Sequence, residues 1–373
     1  MIIIASHASV INGKIHEVPV NTIIEILRHK KVEFIFIRHA MNGDFQSSAF
    51  FYKNGQITRT KKIPVLSKIS ILRYLSEVLS SFFFISAYAG KYNSDLCFIG
   101  VDPLNALVGC LLKKIGKIKK TIFYTADFSP QRFVNKFLNY CYHYIDKFCV
   151  KNSDQVLNVS SRIHELRKNF GLADEKNIFL PNVPSDEYKK FISNKRNSET
   201  LITLGTLSNQ IDYIGLFEAV KLLKDRFPLI YLKVIGGGVK EDEYKKYVSD
   251  EKLENNIKFF GQLDHAQALE EISTSGIGVA LYNGKWNFNY YGDSMKCREY
   301  FCFGLPVITT DTHSTVEEIK EYDAGVICLS DPISYSDAIE KILMNYEYYA
   351  NNSYLLNRKY CDIHNRVLSA ICF

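Results

Sequence analysis

The 373-residue sequence predicts an α/β protein made of two doubly wound parallel-sheet lobes in series. Three observations carry that expectation. The length exceeds one compact domain and suits two of roughly 150–200 residues. Short β-branched or aromatic runs alternate with longer helical patterns along nearly the whole chain. The alternation breaks once, in a polar stretch without periodicity, and then resumes. A composition of 47% hydrophobic and 23% charged residues, with a mean hydropathy of -0.09, excludes disordered, collagen-like and polytopic membrane chains. The longest apolar stretch, Val78 to Ala89, is interrupted by Ser80, Ser81 and Ser86. It falls short of the roughly 20 residues that span a bilayer.

In the first lobe, Ile2–Ala5, Phe34–Ile37, Leu96–Ile99, Thr121–Tyr124 and Gln155–Val159 read as strands. Leu66, Ile69, Leu72, Leu75, Leu79 and Phe82 recur at helical spacing with Lys68, Arg73 and Glu77 on the other face, the pattern of an amphipathic helix. Pro103–Lys114 and Phe133–Phe148 also read as helices. Pro181-Asn-Val-Pro184 closes this lobe, which gives boundaries of 1–185 for the lobe and 186–200 for a linker. The second lobe, 201–354, runs strand Leu201–Leu204, helix Gly215–Phe227, strand Ile230–Ile235, helix Glu241–Val248, strand Ile257–Phe260, helix Ala266–Thr274 and strand Gly276–Leu281. Helix Ser294–Phe303, strand Pro306–Thr309, helix Thr315–Tyr322 and strand Gly325–Leu329 complete it. In 355–373, Leu356, Tyr360, Ile363, Val367 and Ile371 mark a last helix.

A formal net charge of +6 favours anionic partners without the basicity of a nucleic-acid-binding domain. Nine cysteines are scattered, none in a Cys-x2-Cys pair, and read as free thiols in a reducing compartment. The opening Met1-Ile-Ile-Ile-Ala-Ser-His lacks a basic segment of a secretory signal, so the expected location is the cytoplasm.

Ligands of open parallel sheets bind beyond the carboxyl ends of the strands. Two features of the second lobe lie there. Gly205, in Leu204-Gly-Thr-Leu-Ser208, and Gly236-Gly-Gly238 each permit close approach of a ligand to backbone, although the latter reads equally as a turn. The segment Tyr290–Ile308 is sharper. Asp293 or Ser294 can cap a helix whose N-terminus suits a phosphate, Lys296 sits in the first turn, and Glu299 follows three residues on. Lys296 and Glu299 suit a diphosphate and a ribose diol, or else form an ordinary exposed pair.

In their order and spacing, Leu-Gly205 with Ile-Asp212-Tyr, Leu-Lys-Val-Ile-Gly236-Gly, Ile-Lys-Phe-Phe-Gly261-Gln-Leu263, Ile-Gly-Val-Ala-Leu281-Tyr and Asp-Ser-Met-Lys296-Cys-Arg-Glu299-Tyr, followed by Gly304-Leu-Pro-Val, resemble the nucleotide-sugar lobe of GT-B glycosyltransferases, most closely family 4. Thr-Ile-Phe-Tyr-Thr-Ala-Asp127, Asn-Ser-Asp154-Gln-Val-Leu-Asn-Val-Ser160 and Leu-Pro-Asn182 extend a looser resemblance over the first lobe. The resemblance implies two Rossmann-like lobes facing across a cleft, with the last helix packing back on the first. Two departures stand out. Tyr291 occupies the first acid of the family's Glu-x7-Glu motif, and no Arg or Lys follows the first strand of the second lobe. Lys296 is the expected replacement for that charge, as in the polysaccharide-assembly branch that the chain resembles.

The implied donor-binding residues are Gly205, Thr206, Gly236, Gly261, Leu263, Ser294, Lys296 and Glu299. Lys296 and Asp127 are the catalytic candidates, and His7, Asn12, Gly13 and Arg132 the acceptor-binding ones. Asp127 reads equally as the cap of a helix starting near Pro130. No Asp-x-Asp or His cluster has metal-ligand spacing, so neither metal nor cofactor is expected. The basic run Lys113–Lys120, beside the amphipathic Leu66–Phe84, reads as a solvated helix end or as a contact with anionic lipid at the inner face of the cell membrane. The expected function is hexosyl transfer from a nucleotide-sugar to a saccharide or lipid-linked saccharide in bacterial surface-polysaccharide assembly, retaining and metal-independent. A sugar-nucleotide epimerase and a non-catalytic sugar-nucleotide binding subunit are the alternatives.

Overall fold

The structure, a computed structural model, describes residues 1–11, 14–16, 20–65, 70–90, 96–184, 186–192, 196–284 and 289–372. It divides into two compact units, Met1–Pro181 with His364–Phe373, and Asn182–Ile363. Asn12 and Gly13 lie outside the described residues, as do Leu66, Lys68 and Ile69.

The first unit contains β1 (Ile2–Ile11), β2 (Lys14–His16), α1 (Val20–His29), β3 (Phe34–Ala40), β4 (Ser48–Lys53), β5 (Gln56–Lys62) and α2 (Ser70–Ala89). It continues with β6 (Cys97–Val101), α3 (Pro103–Lys114), β7 (Lys120–Thr125), α4 (Lys136–Asn152), β8 (Gln155–Asn158), α5 (Ser161–Asn169) and β9 (Asn177–Phe179). The sheet order is β5-β4-β3-β1-β6-β7-β8-β9, with β2 beside β1. From β3 to β9 the pairs are parallel, because each crossover is a helix. The central strand has Ile2, Ile3, Ile4 and Ala5 all buried, as a strand covered on both faces requires. An antiparallel hairpin, β4–β5, which the strand pattern did not suggest, extends one edge around Asn54 (φ 53°) and Gly55 (φ 78°).

Helix α2 departs from the amphipathic rule. Leu72, Leu75 and Leu79 face solvent, whereas Arg73 and Glu77, expected on the solvated side, are buried. Arg73 donates to the Met41 carbonyl (2.6 Å), and Glu77 meets His7 (3.2 Å). Of the predicted leucine-rich stripe, Phe82 packs on the core, with Val78, Ile85 and Ala89. Helix α4 begins later than the sequence suggests and is capped by Asn135, whose side chain accepts from the Phe137 and Leu138 amides.

The second unit contains β10 (Thr200–Leu204), α6 (Tyr213–Leu223), β11 (Tyr231–Ile235), α7 (Glu241–Asp250), β12 (Ile257–Gly261), α8 (His265–Ser273) and β13 (Ile277–Ala280). It closes with α9 (Met295–Cys302), β14 (Val307–Thr310), α10 (Val316–Tyr322), β15 (Gly325–Cys328), α11 (Pro332–Met344) and most of α12 (Tyr346–Cys372). All pairs in its sheet are parallel, in the order β12-β11-β10-β13-β14-β15. The order reverses between β10 and β13, so a crevice opens at their carboxyl ends. The interval read as a linker holds a short 3-10 helix, Asp186–Phe191. The last residues of α12 join the first unit, where His364 bonds the Pro181 carbonyl.

Candidate active site

In the second unit the site is built at the β10–β13 switch point. Ser294, rather than Asp293, caps α9: its hydroxyl accepts from the Cys297 amide (3.4 Å) and bonds the Tyr282 hydroxyl (3.1 Å). Asp293 instead forms a buried cluster with Arg298 (2.9 Å), Thr315 and the Asn182 amide, and Arg298 also pairs with Glu318. The start of α9 is thereby fixed from below. Because the cap takes only the third amide, the first-turn amides of Met295 and Lys296 remain at the positive end of the helix dipole.

Lys296 extends from this turn toward Gly205. A Cβ on Gly205 would lie 2.7 Å from its ammonium, so the glycine makes room for the cation. The ammonium lies over the Tyr282 ring, 4.9 Å from its centroid, and among the described residues Lys296 forms no ion pair. Burial lowers its pKa from 10.5 to about 8, and the charges of Cys297 and Glu299 offset only part of the lost hydration. An unpaired, half-buried ammonium beside open helix amides is a site that an anion completes.

Just after β11, Gly236 and Gly238 lie close against neighbouring backbone. A Cβ on Gly236 would overlap the Gly205 carbonyl oxygen, and one on Gly238 the Leu207 backbone. The amides of Gly205 and Gly236 donate to the carbonyls of Ile235 (3.0 Å) and Gly261 (2.8 Å). These loops are therefore zipped together, and Thr206 is left exposed at their tip. Gly261, at φ 68°, has open space where a Cβ would be, and Leu263 beside it is half-buried. Glu299 does not pair with Lys296; it meets His265 of α8 at 3.5 Å, and this contact raises the histidine's pKa. Tyr291 is half-buried, with its ring against Tyr290.

In the first unit the carboxyl ends of β1, β6 and β7 gather a second set of groups. Asp102 adopts φ 72°, an unusual backbone for a non-glycine residue. Its carboxylate caps α3 through the Leu104 and Asn105 amides and accepts from the Asn105 side chain (2.9 Å). It also bonds His7 Nδ1 (2.7 Å), and the other ring nitrogen meets Glu77. Burial disfavours the imidazolium, but Asp102 first and Glu77 second overcome that and raise the His7 pKa to about 9. His39, whose ring lies 5.6 Å away between Ser47 and Ser81, is pushed by burial down to about 3. One histidine is thus held charged and its neighbour neutral. Asp127 follows β7 and pairs with Arg132 (2.6 Å), whose guanidinium lies over Tyr142. Since Asn135 caps α4, Asp127 is not a helix cap.

The sequence reading omitted Glu77, Asp102, Asn105, Tyr282 and His265. Asp102-Pro103 after a strand was a readable capping signal. Glu77 and His265 reach His7 and Glu299 across 70 and 34 residues of chain and leave no local trace.

Residues 184–354 match the family model of glycosyl transferases group 1. No curated protein matches the chain in sequence. Among solved structures, HepE of Anabaena in complex with UDP aligns with a TM-score of 0.66 at 13% identity, over 99% of both chains. Sucrose-phosphate synthase of Thermosynechococcus elongatus aligns at 0.65 and 14%, over 100% of this chain and 96% of its own. The lipopolysaccharide outer core galactosyltransferase WaaB in its apo form aligns at 0.64 and 15%, over 99% of this chain and all of its own. The fold is GT-B. With the domain match in the second unit, the chain is a glycosyltransferase.

Proposed function

We propose that this glycosyltransferase belongs to family 4 and moves a hexosyl group from a nucleoside diphosphate sugar to a saccharide acceptor in bacterial surface-polysaccharide assembly. Retention of configuration and independence of metal are part of the proposal, as are a cytoplasmic location and work at the inner face of the membrane. The observation that carries it is the unpaired Lys296 ammonium between Gly205 and the open start of α9. Supporting it, HepE has been crystallised with UDP and with UDP and glucose.

The chemistry follows from charge. As the sugar–phosphate bond breaks, negative charge grows on the diphosphate while the sugar becomes cation-like. Lys296 and the first-turn amides of α9 stabilise that departing charge, taking the part that a metal ion plays elsewhere. Glu299, freed from His265, accepts hydrogen bonds from the ribose hydroxyls. The acceptor belongs to the first unit. There His7 has both ring nitrogens engaged by carboxylates and is held as the cation, so it is no general base. Asp127, just beyond the end of β7 with Arg132 to orient it, is the carboxylate left to align an acceptor hydroxyl.

The test is a panel of nucleotide-sugars, with and without saccharide acceptors, followed by mass spectrometry. Acceptor-dependent glycosylation supports the reading, and Asp127→Asn should lower its rate roughly 100-fold, within the range for a positioned acid–base group. Epimer formed without acceptor, or tight binding with no turnover on any acceptor, would replace transfer by one of the two alternatives.

A further inference from the structure

The first unit contains a cavity of about 330 Å³ beyond the end of β3, between the loop to β4 and the start of α2. Asn42, Gln46, Ser47, Arg73 and Glu77 give it a polar wall, and Phe45 adds an aromatic ring. The loop is tied from behind, where Gln46 donates to the Ile63 carbonyl (2.8 Å) and Ser47 bonds His39 (3.1 Å). Arg73 is 6% exposed and Glu77 3%. Arg73 Nη2 is taken by the Met41 carbonyl, and Glu77 Oε2 by His7. Arg73 Nε and Glu77 Oε1 are also buried, yet neither has a hydrogen-bond partner among the described residues. These two atoms lie 3.8 Å apart, an ion pair too long for a hydrogen bond. Gly43 leaves room for the guanidinium, since a Cβ there would lie 2.9 Å from Arg73 Nη1.

A buried donor and a buried acceptor left open side by side define the group that completes them. One oxygen can sit about 2.8 Å from both, and a hydroxyl there accepts from Nε–H and donates to Oε1. An ammonium would meet the guanidinium, and a carboxylate or phosphate would meet Glu77, so the pair selects a neutral group. The volume is far more than one bridging water needs and lies at the lower end for small-ligand sites. Two amides, a hydroxyl and an aromatic ring around an Arg–Glu pair suit a sugar ring. Its place in the sheet matters too. Ala40, the last residue of β3, is in the pocket wall, whereas Asp127 follows β7, with β1 and β6 between. Three strand intervals separate the two sites, about 14 Å, farther than one sugar ring reaches. We infer that this pocket is a saccharide subsite whose Arg73–Glu77 gap holds a hydroxyl of a neutral sugar residue of the acceptor, set back along the chain from the hydroxyl that reacts. The inference rests on the acceptor role given to Asp127 above. The acceptor is then an oligosaccharide, and the enzyme extends a chain already begun.

The test is isothermal titration of the full chain, without donor, using glucose, galactose and mannose and their linear di-, tri- and tetrasaccharides. Wild type should bind a trisaccharide about tenfold or more tighter than the matching monosaccharide, because two sites on one chain are then engaged. Arg73→Met should weaken trisaccharide binding about 10–100-fold, the worth of a hydrogen bond to a charged group. Asn42→Trp, at an exposed position on the rim, should crowd the pocket to the same effect at wild-type melting temperature, which keeps the test decisive if Arg73→Met loosens α2. In transfer assays both variants should raise KM for oligosaccharide acceptors with kcat unchanged, and leave KM for monosaccharide acceptors alone. General loosening of the fold would not produce that split. No neutral saccharide bound at any length, or binding that both variants leave intact, overturns the inference. So does a monosaccharide held as tightly as a tetrasaccharide. Asp127→Asn should slow transfer without touching this binding, so a rate left at the wild-type value faults the role of Asp127, while the titrations decide the subsite.

Discussion

Replacing Lys296 by Met should make the ligand-free protein more stable and the donor site useless. The perturbation removes a cation that is half-buried, lies against the Tyr282 ring and has no ion-pair partner among the described residues. Its pKa falls from 10.5 to about 8 on folding. A depression of that size corresponds to about 3 kcal/mol of unfavourable charge burial. Contact of the ammonium with water brings the realised gain down to about 1–2 kcal/mol. For a unit of this length that is about 3–6 °C in melting temperature. The sign is fixed by linkage. The folded state binds the proton less tightly than the unfolded chain, so the cost is full below pH 8 and is relieved as pH climbs from 8 to 10.5. The stability difference between Lys296→Met and wild type is therefore greatest at neutral pH and disappears in strong base. Thermal and urea unfolding across pH measure it, each with and without the nucleotide-sugar that the donor panel selects. Ligand should stabilise wild type and leave the variant where it was. A variant that is less stable than wild type yet still protected by the nucleotide-sugar would refute the assignment, since the lysine would then be a structural group with no anion to receive.

Two further outcomes follow from the same geometry. His7→Asn should destabilise the first unit by about 2–3 kcal/mol at pH 6, because it leaves Asp102 and Glu77 without the cation between them. Since the His7 pKa is raised from 6.5 to about 9, that stabilisation is complete below pH 6.5 and lost as pH passes 9, so unfolding curves of wild type and variant should converge above pH 9. Gly236→Ala places a Cβ on the Gly205 carbonyl oxygen at φ 137°, and should cost about 2–4 kcal/mol in urea unfolding together with at least a tenfold loss of donor affinity.

What the sequence revealed and what it hid divide along a physical line. Strand β1 was legible because a strand covered on both faces must be continuously apolar, and Ile2–Ala5 is. The place of Lys296 in the first turn of α9 was legible because its cap, Ser294, and the helix start sit within a few residues of one another. The orientation of α2 was not legible. Periodicity states that leucines share one face and that Arg73 and Glu77 share another, but it is silent on which face turns inward. Here the answer comes from distant partners: the Met41 carbonyl for Arg73, and His7, seventy residues away, for Glu77. Once Asp102 and Glu77 hold His7 as a cation, the charged side of α2 must face the sheet, and the leucines are turned out in consequence. The buried cluster at the strand ends and the apolar surface outside are thus two sides of one helix. A change that released Glu77 from His7 would remove one of the constraints that keep Leu75 and Leu79 turned outward, leaving Arg73 on the Met41 carbonyl as another.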